Sequence, residues 1–494
     1  MPDFMPAIEL LLTPSGLFLV ALGCVLGVSV GAIPGLTGAM LIALSLPLTF
    51  AMQGEYALIL LVSMYVGSVS GGLITATLLR IPGTPASMMT TLDGYPMAQR
   101  GEAGKALALG IGSSFVGGMI AWVFLVLLAA PIATLSLMFG PFEFFALVMV
   151  ALALIASVGK NPFAGLFAGC LGMLAKMPGA SPATGEVRWT LGFESLDDGF
   201  KLLPVLIGLF AINQLIVQIL EHRSIKPDTS TTEAKVEFKL SDWKPHTGNL
   251  FRSSIIGTWV GILPGIGANI GSVLAYTAAK RASKTPEEFG TGCEEGIVAS
   301  ESANNATVGG ALIPLVAMGI PGSVIDAILL GALVIHGLQP GPMLMQQNPL
   351  AVHTMMGTLL LANVFTFVLM IVSAKWIVRL VRIPSWVMVP LIFAFCVIGS
   401  YALANRMFDV WVMLSFGVLG FCMERMRIPL APFVIGFVLA PIAEEHLCSG
   451  LMQSGGDYLP LLTRPMSAFM LVAATVILAV PILRRKKTAQ DDQN

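Results

Sequence analysis

Long apolar stretches alternate with short polar ones along almost the whole chain, and their lengths are those a bilayer sets. A helix crossing the hydrocarbon core needs about 20 apolar residues. Residues 17–52 form a run too long for one crossing, and Pro34-Gly35 divides it near its middle, so two short helical segments meeting at a break are expected. Residues 56–79 form the next span and contain YVGSVSGG, a small-residue cluster that lets helix backbones approach closely. The segment RIPGTPASMMTTLDGYPMAQRGEAGKA is too polar to cross lipid as a simple helix; it reads as a break, a short segment and a loop. Apolar runs at 107–137, 142–158 and 163–174 precede a second polar stretch, SPATGEVRWTLGFESLDDGF, and 201–220 closes the first half.

Residues 221–252 are the only extended polar segment, with balanced charges, and read as a solvated linker. Beyond it come a second broken run, the charged loop KRASKTPEEFGTGCEEG, and apolar runs near 297–318, 324–338, 355–371, 386–403, 410–422, 432–442 and 466–483. The expected organisation is a first transmembrane repeat (1–220), the linker (221–252), a second transmembrane repeat (253–483) and a basic tail (484–494). Arg484, Arg485, Lys486 and Lys487 place that tail on the cytoplasmic side. The N-terminal MPDFMPAIELLLTPSG lacks the basic region and cleavage site of a secretory signal, so the first apolar run is expected to be retained.

The two halves are related. GVSVGAIPGLTGAM (27–40) and GTWVGILPGIGANI (257–270) share Gly27, Val30, Gly31, Pro34 and Gly35 with Gly257, Val260, Gly261, Pro264 and Gly265, in one register. A second pair follows: Gly71, Gly72 and Ile81-Pro82-Gly83-Thr84 against Gly309, Gly310 and Ile320-Pro321-Gly322-Ser323, one residue of slippage apart. The chain reads as a duplication in which each half carries two Pro-Gly breaks. Counting spans does not decide between parallel and inverted copies, because re-entrant and full spans look alike in sequence.

Composition says what surrounds the breaks. With 56% hydrophobic and 11% charged residues and a mean hydropathy of +0.85, this is an all-α polytopic membrane protein; soluble domains carry about 25% charged residues. The 52 glycines and 31 prolines are tolerated in transmembrane helices, where neighbouring helices and water-lined cavities satisfy freed backbone groups. A net charge of −1 scattered over loops gives no footprint for nucleic acid. The six cysteines lie far apart without CxxC spacing, which supports neither a zinc site nor disulfides. HExxH and GxxxxGK[ST] are absent, so neither an enzyme nor a nucleotide-driven pump is expected.

Broken helices in matching positions of two repeats point to the binding site of a secondary transporter. A half-helix N-terminus offers unpaired N–H groups to an anion, while unwound carbonyls, hydroxyls and amides replace the hydration shell of a cation. The breaks supply Thr37, Thr84, Ser87, Asn269, Ser272, Ser302, Asn304, Asn305, Thr307 and Ser323. A lone hydroxyl such as Ser272 more often bonds back to its own helix, whereas two adjacent amides in an apolar run are costly unless partnered. Asp326 beyond the last break, Glu301 beside the amides and His336 are the charge-bearing groups; the two carboxylates can carry a proton or help bind a cation, and Asp326 can equally cap its helix, while His336 reads as structural. Arg80 abuts the second break of the first half, where it can reach a carboxylate or snorkel. The expected substrate set is Pro34, Gly35, Thr37, Pro82, Gly83, Thr84, Ser87, Pro264, Gly265, Asn269, Pro321, Gly322 and Ser323; the expected ion set is Gly38, Asn304, Asn305, Thr307 and Asp326.

The long segments GAIPGLTGAMLIALSLPLTF, YVGSVSGGLITATLLRIPGTPASMMTTLDGYPMAQRGEAGKALALG, SPATGEVRWTLGFESLDDGF, GILPGIGANIGS and EGIVASESANNATVGGALIPLVAMGIPGS resemble the large membrane subunit, the TctA type, of the tripartite tricarboxylate transporters. One departure is Ser181, where that family tends to have an aspartate before its Pro-x-Thr-Gly element. The resemblance implies a multi-pass carrier of the bacterial inner membrane for carboxylates such as citrate, coupled to a sodium or proton gradient and needing no bound cofactor. It also implies a small four-span membrane subunit (TctB type), a periplasmic solute-binding protein (TctC type), and inverted repeats that move as an elevator. The family's Pro-Gly motifs fall on Pro34-Gly35, Pro82-Gly83, Pro264-Gly265 and Pro321-Gly322, and its Ala-Asn-Asn segment on Ala303, Asn304 and Asn305. The alternative from another class is a passive carboxylate channel with the same broken helices, which would need neither gradient nor delivering protein.

Overall fold

Backbone polar groups find no water inside a bilayer, so a chain of this composition must satisfy them within its own helices. The computed structural model accordingly is helical through its apolar stretches. It describes residues 4–33, 35–158, 161–221, 236, 240–380, 385–402 and 404–491; Pro34, most of the expected linker (222–235 and 237–239) and the last three residues of the tail lie outside the described residues. Among the described residues, seven helical segments are long and apolar enough to cross a membrane, and shorter apolar helices accompany them. The chain is therefore a multi-pass, mainly α-helical membrane protein. Its one described sheet is a hairpin pairing Gly179–Ala180 with Val187–Arg188.

The first half begins with α1 (Met5–Leu12) and α2 (Pro14–Ala32). Thr13 starts α2: its Oγ1 accepts the Gly16 N–H at 3.0 Å, and Pro14 occupies the first position, where no N–H is required. After Ala32 the chain is extended at Ile33 and left-handed at Gly35 (φ +86°), a conformation that favours glycine. α3 (Gly38–Thr49) starts at Thr37, whose Oγ1 accepts the Met40 N–H at 3.1 Å. α4 (Gly54–Leu79) ends on left-handed Arg80, and the second break leads into α5 (Met88–Met97). Then follow α6 (Ala103–Ser136), α7 (Pro141–Val158), α8 (Pro162–Lys176), the hairpin, and a span made of α9 (Leu202–Leu206), a π-helical stretch (Ile207–Ile212) and α10 (Asn213–Glu221).

The second half contains α11 (Thr247–Ile262), α12 (Gly267–Ala282), α13 (Glu294–Met318), α14 (Val324–Ile335), α15 (Pro342–Gln347) and α16 (Pro349–Leu380). It closes with α17 (Ser385–Ala402), α18 (Met407–Arg425), α19 (Leu430–Gln453), α20 (Leu459–Thr463) and α21 (Pro465–Asp491). α11 begins inside the segment read as linker. Between α11 and α12, Gly265 (φ +72°) and Gly267 (φ +67°) are left-handed, and α13 ends on left-handed Gly319 as α4 ends on Arg80. α19 outruns the apolar run 432–442 because its polar residues find partners: Glu444 pairs with Arg188 and accepts from Ser181 Oγ at 2.6 Å.

α4 and α13 run in opposite directions through the centre. Gly54, at the start of α4, lies against His336, and Arg80 at its end stands over the Tyr95 ring of α5. Two residues from Tyr95, Asp93 accepts the N–H groups of Gly290, Gly292 and Cys293, just before α13 begins. α13 then runs back until the Ala317 carbonyl accepts from Ser136 Oγ, at the far end of α6. Glycines bring each central helix against a break-bearing one. A Cβ on Gly27 would lie 2.5 Å from the Met64 carbonyl oxygen, and one on Gly261 would lie 2.5 Å from that of Thr307. In lipid no hydrophobic force drives helices together, so this backbone-to-backbone packing is a main source of cohesion. Gly71 and Gly310 close on the carbonyls of Val28 and Thr258. Gly71 and Gly310 thus make the same kind of contact, each with a carbonyl of the helix before a break. Outside this centre, α7 and α8 pack on α19, α7 also on α21, and α17 and α18 on the span 202–221.

Candidate functional site

The breaks gather about the crossing of α4 and α13. In the first half, a Cβ on Gly83 would overlap the Gly31 carbonyl, and one on Gly38 would overlap Ser68 Oγ, so the second break, the end of α2 and the start of α3 share one small volume. In the second half, a Cβ on Gly322 would lie 2.7 Å from the Gly261 carbonyl oxygen, and Gly271 faces Thr307 Oγ1. The Gly265 N–H donates to the Gly322 carbonyl at 2.8 Å, tying those two breaks directly. Gly267 also faces Ser323 within the second half, and the halves meet where Gly38 faces Ile325 of α14.

A polar group sits where they meet. Ser323 Oγ accepts the Asp326 N–H at 3.3 Å, capping α14, and contacts the Tyr65 hydroxyl of α4 at 3.1 Å. Asp326 is fully buried; the Ser323 and Tyr65 hydroxyls and the N–H groups at the start of α14 stand beside its carboxylate, but none meets it with full hydrogen-bond geometry. The capping role open to Asp326 in sequence is therefore filled by Ser323, which leaves the carboxylate poorly compensated. A buried carboxylate in that state is costly, so the position invites a cation or a proton. Among the described residues no cluster of His, Cys, Asp and Glu has the makings of a metal centre.

A second polar group lies on the other side of the crossing. Glu301 on α13 is fully buried; its Oε1 accepts from Thr90 of α5 at 2.5 Å and its Oε2 from Ser114 of α6 at 3.1 Å. Thr90 also contacts Ser300 Oγ at 3.0 Å, and Ser272 of α12 donates to the Ser300 carbonyl. Asn305 is held at both ends of its amide: Ser70 Oγ donates to its Oδ1 at 2.7 Å, and its Nδ2 donates to the Glu301 carbonyl. Asn304 donates weakly to the Val69 carbonyl at 3.4 Å, and its buried Oδ1 has no partner. Thr307 bonds back to Ala303 and across to the Gly257 carbonyl.

Of the expected residues, the structure thus groups Gly38, Gly265, Gly322, Ser323 and Asp326 near one another and Asn304, Asn305 and Thr307 along the facing side of α13. Thr84 and Ser87 are buried at the second break and bond mainly to each other, Ser87 Oγ donating to the Thr84 carbonyl at 2.8 Å. Pro82 and Gly83 form that break, and Pro264 and Pro321 are buried at theirs. Asn269 is exposed on α12, and Pro34 lies outside the described residues. Gly35 faces a pair the sequence reading passed over, the side-chain amides of Gln214 and Gln218 on α10. Tyr65, Thr90 and Ser114 were also missed; nothing in their local sequence sets them apart from neighbours such as Thr91 and Ser113, and only the fold gives each its partner. His336 contacts Thr49 at 3.2 Å, away from the breaks. A surface cleft lined by Pro14, Phe18, Ala51 and Tyr56 lies at the opposite end of α2 and carries no charged side chain.

Comparison with known proteins agrees with this architecture. Residues 17–435 match the model of the Tripartite tricarboxylate transporter TctA family. The chain is 34% identical over 483 residues, 97% of its length and 96% of the relative's, to an uncharacterized 52.8 kDa protein in the TAR-I ttuC' 3'region of Agrobacterium vitis. It is 33% identical over 234 residues, 47% of its length and 97% of the relative's, to an uncharacterized protein in the TAR-II ttuC' 3'region of the same organism. No solved structure matches it. With the family's sequence pattern running through both sets of breaks and the helices between them, the chain belongs to the TctA family of the tripartite tricarboxylate transporters.

Proposed function

We propose that this chain is the large translocating subunit of a secondary transporter that takes up di- and tricarboxylates such as citrate across the bacterial inner membrane, driven by a sodium or proton gradient. It works with a small four-span TctB-type subunit and with a periplasmic TctC-type protein that delivers the substrate. The observation that carries this reading is the convergence of the breaks on buried Asp326, whose carboxylate no neighbour meets with full hydrogen-bond geometry. Helix starts at Thr37 and Ser323 offer N–H groups to substrate carboxylates. Asp326, with the Ser323 and Tyr65 hydroxyls beside it, suits the co-transported cation.

The two halves act as inverted copies. Three observations support this: α4 and α13 run antiparallel, Gly31 meets Ser68 as Gly261 meets Thr307, and Gly83 meets Gly31 as Gly322 meets Gly261. Matched positions nevertheless face different walls, since Gly35 meets the amides of Gln214 and Gln218 whereas Gly265 meets Ile155 of α7. One device set against two surroundings supports an elevator, in which α2–α5 and α11–α14 slide against the outer helices.

The test is uptake of a labelled carboxylate panel into proteoliposomes holding the chain and its small subunit. Sodium or proton gradients are imposed in turn, with and without a matching binding protein. Accumulation that needs both a gradient and the binding protein is expected. Gradient-independent equilibration without the binding protein would replace this reading with the passive channel.

A further inference from the structure

Five fully or nearly fully buried carboxylates among the described residues show how this bundle treats charge. Asp409 is paired with Arg406 and Glu143 with Arg464. Asp93 accepts three backbone N–H groups and the Tyr276 hydroxyl. Each of those three is met by arginine or backbone N–H groups, which can only donate. Asp326 belongs to the site described above. Glu301 is different from all of them. It is 0% exposed, and its hydrogen-bond partners are the hydroxyls of Thr90 and Ser114, with the Asn304 amide beside it one helical turn on.

Every one of those partners can reverse its role. A hydroxyl donates to a carboxylate and accepts from a carboxyl O–H; an amide offers N–H to the one and, turned over, C=O to the other. Asn304 Oδ1 is buried and has no donor, so it is an acceptor held in reserve. Thr90 can pass its own proton to Ser300 Oγ, which already has carbonyl acceptors at Gly296 and Ile297. The ionised and neutral forms of Glu301 can therefore both be satisfied in place, without moving a helix.

On the elements packed against α13, the titratable groups are Glu55, Tyr56 and Tyr65 on α4, Asp93 and Tyr95 on α5, Lys105 on α6, Arg252 on α11, Tyr276, Lys280 and Arg281 on α12, and Asp326 on α14. None of them bonds to the Glu301 carboxylate. Thr90 and Ser114 lie on first-half helices and Glu301 on a second-half helix, so a change of its protonation acts on the contact between the halves.

We infer that Glu301 is a proton-binding site separate from Asp326: its carboxylate takes up one proton to become a neutral carboxyl, and releases it again during the transport cycle. The proton comes from the aqueous phase, and no other bond forms or breaks. The inference rests on the proposed coupled transport for its role, but the protonation itself can be tested apart from transport. In the full chain, infrared difference spectra across a pH step should show a buried carboxyl C=O band that is lost in Glu301→Gln. In reconstituted vesicles, Glu301→Gln should lose the response of uptake to an imposed pH gradient while keeping exchange of labelled for unlabelled carboxylate at equal pH; Glu301→Asp should restore the response.

An unchanged infrared spectrum in Glu301→Gln, or a full pH-gradient response in that variant, overturns the inference. So does loss of exchange together with driven uptake that Glu301→Asp does not relieve, since a structural crosslink would behave that way. If the wild type itself ignores every gradient yet shows the band, it is the coupled-transport reading that fails and the proton site that stands.

Discussion

Replacing Gly322 by alanine isolates the close approach on which the grouping of the breaks depends. Gly322 does not have a left-handed backbone, so the change tests space alone. A Cβ there would meet the Gly261 carbonyl oxygen at 2.7 Å and the Ala311 Cβ and Cα at 2.8 and 2.9 Å. Carbon atoms prefer roughly 3.5–4.0 Å, so the break must withdraw by about 0.7 Å at the least. None of these neighbours can turn aside, because two are backbone atoms and the third is the methyl of an alanine. Overpacking of this kind costs about 1–3 kcal/mol. The same shift pulls on the bond from the Gly265 N–H to the Gly322 carbonyl, for about 1 kcal/mol more. A loss of about 2–4 kcal/mol is expected. The assay is thermal unfolding of the purified full chain in detergent at one fixed scan rate, beside carboxylate uptake by the reconstituted system. Gly248→Ala serves as the control: nothing lies within 4 Å of a Cβ there, so it should be neutral or gain up to about 1 kcal/mol. Gly83→Ala, directed at the Gly31 carbonyl, should behave like Gly322→Ala. If Gly322→Ala unfolds no earlier than Gly248→Ala and transports normally, the breaks are not packed as described.

Asp326→Asn should leave unfolding unchanged or slightly delayed, since a poorly compensated buried charge is removed, while uptake is abolished; normal uptake would take Asp326 out of the mechanism. Asn304→Ala and Asn305→Ala should each abolish uptake with expression largely kept, and Asn305→Ala should be the less stable, because it alone breaks a good interhelical bond, from Ser70; normal uptake by both would remove the amides from the site. Asp93→Asn should loosen the loop before α13. Cys293, a buried loop thiol that burial pushes up to about 11, should then become alkylated in a variant that keeps it as the sole cysteine, whereas with Asp93 intact it should resist at pH 8.

The breaks were legible because each is an adjacent Pro-Gly pair with a matching pair in the other half, so the division of 17–52 and its counterpart could be located without a partner being known. Single prolines and glycines carry no such signal, since Pro131, Pro314, Gly71 and Gly310 all stay inside helices. Segment lengths were less legible where polar residues stay helical. α19 continues through Glu444 because Ser181 and Arg188 come from the distant hairpin to meet it. Ser181 itself was noted only as a missing carboxylate, and the fold supplies that carboxylate from another helix.

The site was half legible for a related reason. Asn304 and Asn305 stood out together, yet they proved unlike: Asn305 is spent on Ser70 and its own helix, and Asn304 is left with an unbonded oxygen. No local rule separates them: both face α4, where Ser70 offers Asn305 a hydroxyl and Val69 offers Asn304 only a backbone carbonyl. Tyr65 is the clearer case. It sits in a span of small and apolar residues with nothing beside it in sequence, and its meaning comes from Ser323, 258 positions away, held in place by the last break. A sequence of this kind announces where its backbone is opened. What the opening faces is decided by glycines packed to backbone contact, and those are indistinguishable, one by one, from the other glycines of a membrane protein.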